Sequence, residues 1–445
     1  MPMKFQPVLF SLVLTALLAA FLTLSLPPAV SQTGPPEMPD LLAEDPSSTR
    51  SAANDDLLYL PLVVKSLSLT GQMSSVTLQL PTPLAGTAGS WCTWSGCALG
   101  PRLYLAPLAD DSTLIGWTDQ QGTGHVTRHT NGATEDWLFP NQAIRGLTAH
   151  ADGGFAVLLW DTAAETIRLS RRQANGSQIW TTNLNSDIAR AEFWLGDGRL
   201  EYGNGLYAAY FTVKGVSGGF TGHYGDQLTY VSDSGVVQTG GWNWGCSHSM
   251  AQLVTYHPQL DQFAAVCSSD CFPDKSIHWV NASHQIYQAD GNCGGLVSAQ
   301  LGQMAVGNDS WKLVFNAQEQ PCCTGKGIAL ATLTADQQSS YTWLTNSNGQ
   351  TERDPAIARL GASVTDERYL VGWLTTQDNS YWLGVIDETG NFIIGPDNMT
   401  AAGVSWGNRD ESFRTRVDGR VSWVQGAANS SQIRLFTFDG APFLP

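Results

Sequence analysis

The chain has 445 residues, of which 14% are charged, and it carries 45 Gly and 16 Trp; an ordinary soluble domain is roughly a quarter charged. An apolar content of 42% with 10% aromatics excludes a disordered chain, and the lack of any heptad pattern excludes a coiled coil. With 23 basic against 39 acidic residues the net charge is -16, which repels a phosphate backbone and argues against nucleic acid as a partner.

Lys4 is the only charge in the first 36 residues and precedes an apolar stretch from Val8 to Leu26, Pro27-Pro28, and the small-residue site Ala29-Val30-Ser31. This pattern predicts a secretory signal peptide over 1–31 and a secreted or extracellular-surface protein with no membrane span once the signal is removed. The same stretch is long enough to span a bilayer, so an N-terminal signal anchor is the alternative. Residues 32–56 are rich in Pro, Ser and acid without periodicity, which predicts a disordered linker. Leu57 to Lys65 reads LLYLPLVVK, an apolar run whose internal Pro suits an edge strand.

From about residue 75 one unit recurs: an apolar strand ending in an aromatic pair, a polar hairpin, another strand, a turn of Asn-Gly or Asp-Gly character and a further strand. The apolar strands end at Trp117, Trp160, Phe211, Cys267, Phe315, Trp373 and Trp423, with intervals of 43 to 58 residues averaging 51. Tight turns follow at Asn131-Gly132, Asn175-Gly176, Ser234-Gly235, Ala282-Ser283, Thr389-Gly390 and Asp439-Gly440, and only the fifth unit lacks a clear one. Seven units of this length with few lysines predict an all-β fold of four-stranded blades. The last unit has too little chain left for its outer strand, so an N-terminal strand, either Leu57 to Val64 or Ser75 to Leu80, is expected to close the ring over 57–445.

On these units, residues 90–445 resemble a seven-bladed β-propeller of the exported bacterial kind. The blades lack the Gly-His and Trp-Asp pairs of WD-type repeats, the kelch spacing and the sialidase Asp box, so no catalytic residues transfer from those families. The propeller layout puts the loops between second and third strands, and those between blades, on one face. Seven of the eight cysteines fall there, with Cys267 just beneath.

Eight cysteines (Cys92, Cys97, Cys246, Cys267, Cys271, Cys293, Cys322 and Cys323) in an exported chain point to disulfides. The spacings allow Cys92 to close on Cys97 and Cys267 on Cys271, with Cys246 and Cys293 as mates for Cys322 and Cys323. The same face carries Gly222-His223-Tyr224-Gly225-Asp226 and Gly241-Trp242-Asn243-Trp244-Gly245-Cys246-Ser247-His248. His223, Tyr224 and His248 are acid–base candidates, and Trp91, Trp94, Asp226, Trp242 and Trp244 are ligand-binding candidates. No cofactor is expected, although His223, Asp226 and His248 are of the types that hold a divalent cation. His125 and His129 share a strand face and read as solvated, while His150, His257, His278 and His284 read as structural.

The function expected is a secreted propeller binding an extracellular glycan or protein on this stapled loop face. The alternative is an extracellular carbohydrate-active enzyme, resembling propeller polysaccharide lyases in layout, with His and Tyr on the same face. No nucleophile elbow, Walker or His-Glu-x-x-His pattern is present.

Overall fold

A computed structural model describes residues 68–85 and 102–445, apart from 131, 162, 192–197, 249–251, 289–292, 294–298, 320–322, 347–348 and 408–411. The expected signal peptide, linker and 57–64 strand lie outside the described residues, as do Trp91, Cys92, Trp94, Cys97 and Cys322.

Seven antiparallel sheets follow one another along the chain: blade 1 over 104–139, blade 2 over 142–183, blade 3 over 189–242, blade 4 over 252–288, blade 5 over 300–343, blade 6 over 352–398, and blade 7 over 414–438. Each blade is a four-stranded meander, except that the inner strand of blade 3 is split into Ala189–Ala191 and Gly198–Gly203. All seven residues expected at the ends of apolar strands are buried on second strands, where they lie within the strand rather than at its end. These strands lie inside the sheet with both faces packed, which is why Ser310–Ala317 is buried throughout. Outer strands such as Gln178–Asn183 expose most of their residues.

The ring is closed by Met73–Gln79, which pairs antiparallel with Gln432–Phe438 as the fourth strand of blade 7, from Met73 opposite Phe438 to Gln79 opposite Gln432. The nearer of the two expected N-terminal segments therefore supplies the closing strand. Asp439-Gly440 consequently turns no hairpin: Asp439 N–H donates to Gln72 O at 3.0 Å, where the two ends of the ring meet. In blade 5 the turn missing from the sequence pattern is made by Gln337, which adopts φ 63° without a glycine. Arg416 reinforces closure by donating from blade 7 to Asp111 Oδ1 (2.6 Å) and Thr113 Oγ1 (2.9 Å) of blade 1.

Each of the seven gaps between neighbouring blades holds its own apolar cluster. Among the described residues the gaps between blades 4 and 5 and between blades 6 and 7 each bury 16 side chains, whereas the gap between blades 3 and 4 buries seven, two of them Cys246 and Cys267.

His125 departs from the solvated reading. It is 2% exposed and stacks on Trp117 with ring centroids 3.8 Å apart. Trp117 Nε1–H donates to Thr127 Oγ1 (3.0 Å), Thr127 donates to Asp136 Oδ1 (2.8 Å), and His125 Nδ1 meets Asp136 Oδ2 at 2.7 Å. The even spacing of His125 and His129 does place both on one face of the strand Gly124–Thr130, but at His125 that face is covered by the Trp117 indole rather than by water. Asp136→Ala leaves two buried groups without their acceptor and is expected to destabilise the fold by about 1–3 kcal/mol. Urea unfolding of wild type and variant measures the difference.

Candidate functional site

The site forms where blade 3 meets blade 4. The second strand of blade 3 (Leu206–Gly215) and its third (Tyr224–Ser232) pair with Thr212 opposite Asp226 and Lys214 opposite Tyr224. Side chains directly opposite share a face, and Thr212 accepts from Gln252 Nε2 of blade 4 at 2.7 Å. Residues 210, 212 and 214, with their partners 228, 226 and 224, therefore face blade 4 in successive layers towards the loop face.

Asp226 holds the middle of this stack. It is 0% exposed, and its carboxylate accepts from Tyr210 OH (2.6 Å) and Trp242 Nε1–H (2.9 Å). A buried carboxylate is tolerable only with such donors. Burial, followed by the Asp226 charge, raises the Tyr210 phenol well above its ordinary pKa, which keeps it a donor. Asp226 and Trp242 thus brace the site from below.

After Trp242 the chain runs alongside the third strand, with Gly245 N–H on Asp226 O (2.8 Å) and His248 N–H on Tyr224 O (2.9 Å). Trp244 lies across Gly225, where a Cβ would come within 2.5 Å of the indole, so the position requires glycine. Trp244 also meets Phe220 (centroids 4.9 Å) and Phe272 (6.0 Å), which are 37% and 56% exposed. The two phenylalanines were not among the sequence candidates; their loops were placed on this face, but nothing in the spacing aligns them with Trp244.

His248 adopts φ 48° and turns its Nδ1 to Asp270, 3.0 Å from Oδ1 and 2.9 Å from Oδ2. Asp270 is 3% exposed and also accepts from Ser247 Oγ at 2.7 Å. The bond to Asp270 raises the imidazole pKa above 6.5 against the opposing effect of burial. Burial pushes the Asp270 carboxyl up, but the bonds from His248 and Ser247 outweigh it and hold the carboxyl below 3.8. Ser247 lies on the Nδ1 side of the imidazole, so the trio lacks the order of a nucleophilic triad, which needs the hydroxyl at Nε2. An imidazole oriented by a carboxylate remains suited to proton transfer. Asp270 was missed in the sequence, although its neighbour Cys271 signalled a constrained loop.

Tyr224 is half-buried, 6.3 Å from the His248 ring between centroids, whereas His223 is exposed on the preceding turn. The structure therefore brings Tyr224 and His248 together, with Asp226 two residues along the same strand face and saturated from below. Among the described residues the only metal-type cluster is Asp226, Cys246 and Cys267. Its two sulfurs are bonded to each other and offer no thiolate.

The disulfides correct the sequence pairing. Cys246 bonds Cys267 and Cys271 bonds Cys293, while Cys323 is also disulfide-bonded. Cys267 faces blade 3 within the second strand of blade 4 (Gln262–Ser269), and Cys271 lies beyond the strand end. Local closure between them is thereby replaced by bridges to the segments entering and leaving blade 4. Asp270, between the bonded Cys267 and Cys271, and His248, two residues after Cys246, are fixed together.

No family model and no curated protein matches the chain. Among solved structures, the β-propeller domain of the trilobed protease from Pyrococcus furiosus matches at TM-score 0.42 and 10% identity, covering 77% of this chain and 94% of that one. A protein from Lactobacillus plantarum matches at 0.41 and 11%, covering 73% and 95%, and SapL1 lectin in complex with alpha methyl fucoside at 0.36 and 7%, covering 68% and 97%. At these identities the likeness is one of fold.

The His248–Asp270 pair has a defined pH signature. The contribution of His248 is complete below pH 6.5 and is lost as pH rises through its raised pKa; that of Asp270 is present above 3.8 and is lost as pH falls. Both hold between those values. An NMR titration is expected to show His248 titrating above 6.5 in wild type and lower in Asp270→Asn, where burial acts unopposed; an unchanged midpoint contradicts the pairing.

Proposed function

We propose that this chain is an extracellular glycan-binding propeller whose loop face at blades 3 and 4 holds the ligand. The observation that carries the reading is the partly exposed row Phe220, Trp244 and Phe272, in which Trp244 and Phe272 lie beside the disulfide-bonded Cys246 and Cys271. Flat apolar rings match the C–H faces of sugars, and a stapled loop loses little further freedom on binding. Tyr224 and His248 supply polar groups beside the platform, and Trp91 and Trp94 are proposed to extend it. The disulfides support an oxidising, extracellular setting reached through the N-terminal signal. No helix among the described residues is long and apolar enough to cross a membrane.

A second reading, a carbohydrate-active enzyme, is favoured by one observation, the orientation of His248 by Asp270. In it His248 or Tyr224 moves a proton at the bound sugar, with His223 at the rim. A divalent cation recruited by ligand and protein together is the cofactor such an enzyme would use.

Trp244→Ala and, as a variant with an already exposed side chain, Phe272→Ala are each expected to weaken glycan binding about tenfold, roughly 1.4 kcal/mol. A glycan array followed by calorimetry on the best ligand measures this. Wild-type binding to no glycan, or undiminished binding by both variants, overturns the reading. New reducing ends or unsaturated products that disappear in His248→Ala establish the enzyme instead.

A further inference from the structure

The cross-strand register of blade 3 places two cations side by side at the top of the same cleft. Arg190, on the short inner segment Ala189–Ala191, stands directly opposite Lys214, which in turn stands opposite Tyr224. The three side chains form one row across three neighbouring strands, about 4.8 Å from strand to strand. The row lies one layer above Thr212 and Asp226 on the blade 4 side, and it ends at Tyr224, whose carbonyl receives the His248 amide.

Like charges directly opposite one another in a sheet are destabilising unless something lies between them. This chain has 39 acidic residues against 23 basic ones, yet among the described residues neither Arg190 nor Lys214 has a carboxylate partner. Arg190 is half-buried and donates only to backbone carbonyls, those of Ser186 (2.6 Å) and Ala189 (3.1 Å). Lys214 is exposed, with its ammonium 5.6 Å from the centroid of the Tyr224 ring. Such a cation–π contact directs the charge without neutralising it. The result is a small, preformed positive site on a strongly acidic protein. A long, densely charged polyanion is repelled by the molecule as a whole, so the site suits single anionic groups carried on an otherwise uncharged framework.

We propose that Arg190 and Lys214 bind the anionic substituents of an acidic polysaccharide, carboxylate or sulfate, whose sugar rings rest on the aromatic row. This rests on the glycan-binding reading and narrows it to acidic glycans. The aromatic row and the cation row flank the same strand start: Trp244 lies over Gly225, and Lys214 over Tyr224. One strand end therefore offers a stacking surface on one side and a positive one on the other.

The test compares the full chain with Arg190→Gln, Lys214→Gln, the double variant and Phe272→Ala. Polygalacturonate methyl ester with sparse free carboxylates, against the fully esterified polymer, probes the carboxylate, and lightly sulfated dextran against dextran probes the sulfate. The expected result is that wild type prefers the charged member of at least one pair by tenfold or more, and that added salt reduces this preference through screening. Each cation variant lowers the charged-to-neutral ratio, the double variant brings it close to one, and Phe272→Ala weakens both members of a pair alike. The pair that responds identifies the anion. A wild-type ratio near one, or a ratio unchanged in the double variant, overturns the proposal. If neutral polymers bind and respond to Phe272→Ala while the ratio stays at one, glycan binding survives and only its acidic specificity falls. If no polymer of either pair binds, the proposal falls, and an empty glycan array removes the broader reading with it.

Discussion

The pairing of Met73–Gln79 with Gln432–Phe438 is the constraint on which the molecule rests. Seven twisted sheets packed face to face in a ring leave one seam, and a seam closed only by side chains would open two sheet faces at once. Here the seam lies within blade 7, crossed by a seven-residue hydrogen-bonded ladder between the two ends of the domain. Every other gap then has a neighbour on both sides, and the loops of blades 3 and 4 stand on strands that cannot separate without breaking that ladder or an apolar cluster. Closure at one side of the ring therefore sets the geometry of a cleft on the other.

That cleft occupies the gap with the smallest apolar cluster. Beside Tyr210, Leu228 and Val254, this gap holds a disulfide and a buried carboxylate bonded to Tyr210 and Trp242. Such a filling has a direction that hydrophobic packing lacks. Hydrogen bonds fix the angle of the indole and the height of the strand, and the disulfide fixes the two chain segments carrying His248 and Asp270. Phe220, Trp244 and Phe272 lie on the rim, with Trp244 packed over Gly225 against the cluster between blades 2 and 3.

The repeat was legible because blade interiors obey a strong rule: second strands are packed on both faces, and six of the seven carry a buried aromatic residue at the position the spacing marks. Trp117, Phe315 and Trp423 could be placed from spacing alone, and with them the seven blades, while the closing strand was narrowed to two N-terminal segments. The cysteine pairing was not legible, because chain separation favours Cys267 with Cys271 while the alternation of the strand sends Cys267 towards blade 3. Lys214 and Arg190 lie 24 residues apart in the chain, and only the register across a split inner strand makes them neighbours. Asp270 and His125 were hidden for a similar reason: local polarity reads as solvent exposure, whereas each is covered by a side chain from elsewhere in the fold.

The bridges Cys246–Cys267 and Cys271–Cys293 also change what happens to blade 4 when its backbone is cut. The loop after Ser269 exposes Phe272 and is the natural point of attack by a protease. A cut after Lys275 separates two halves of the blade, yet Cys271 stays bonded to Cys293 across it, and Cys246 still holds Cys267 in place. The nicked strands remain tethered at high effective concentration and keep their ladder. Blade 4 can thus be nicked without being lost, and the damage is confined to the peptide bond rather than passed around the ring.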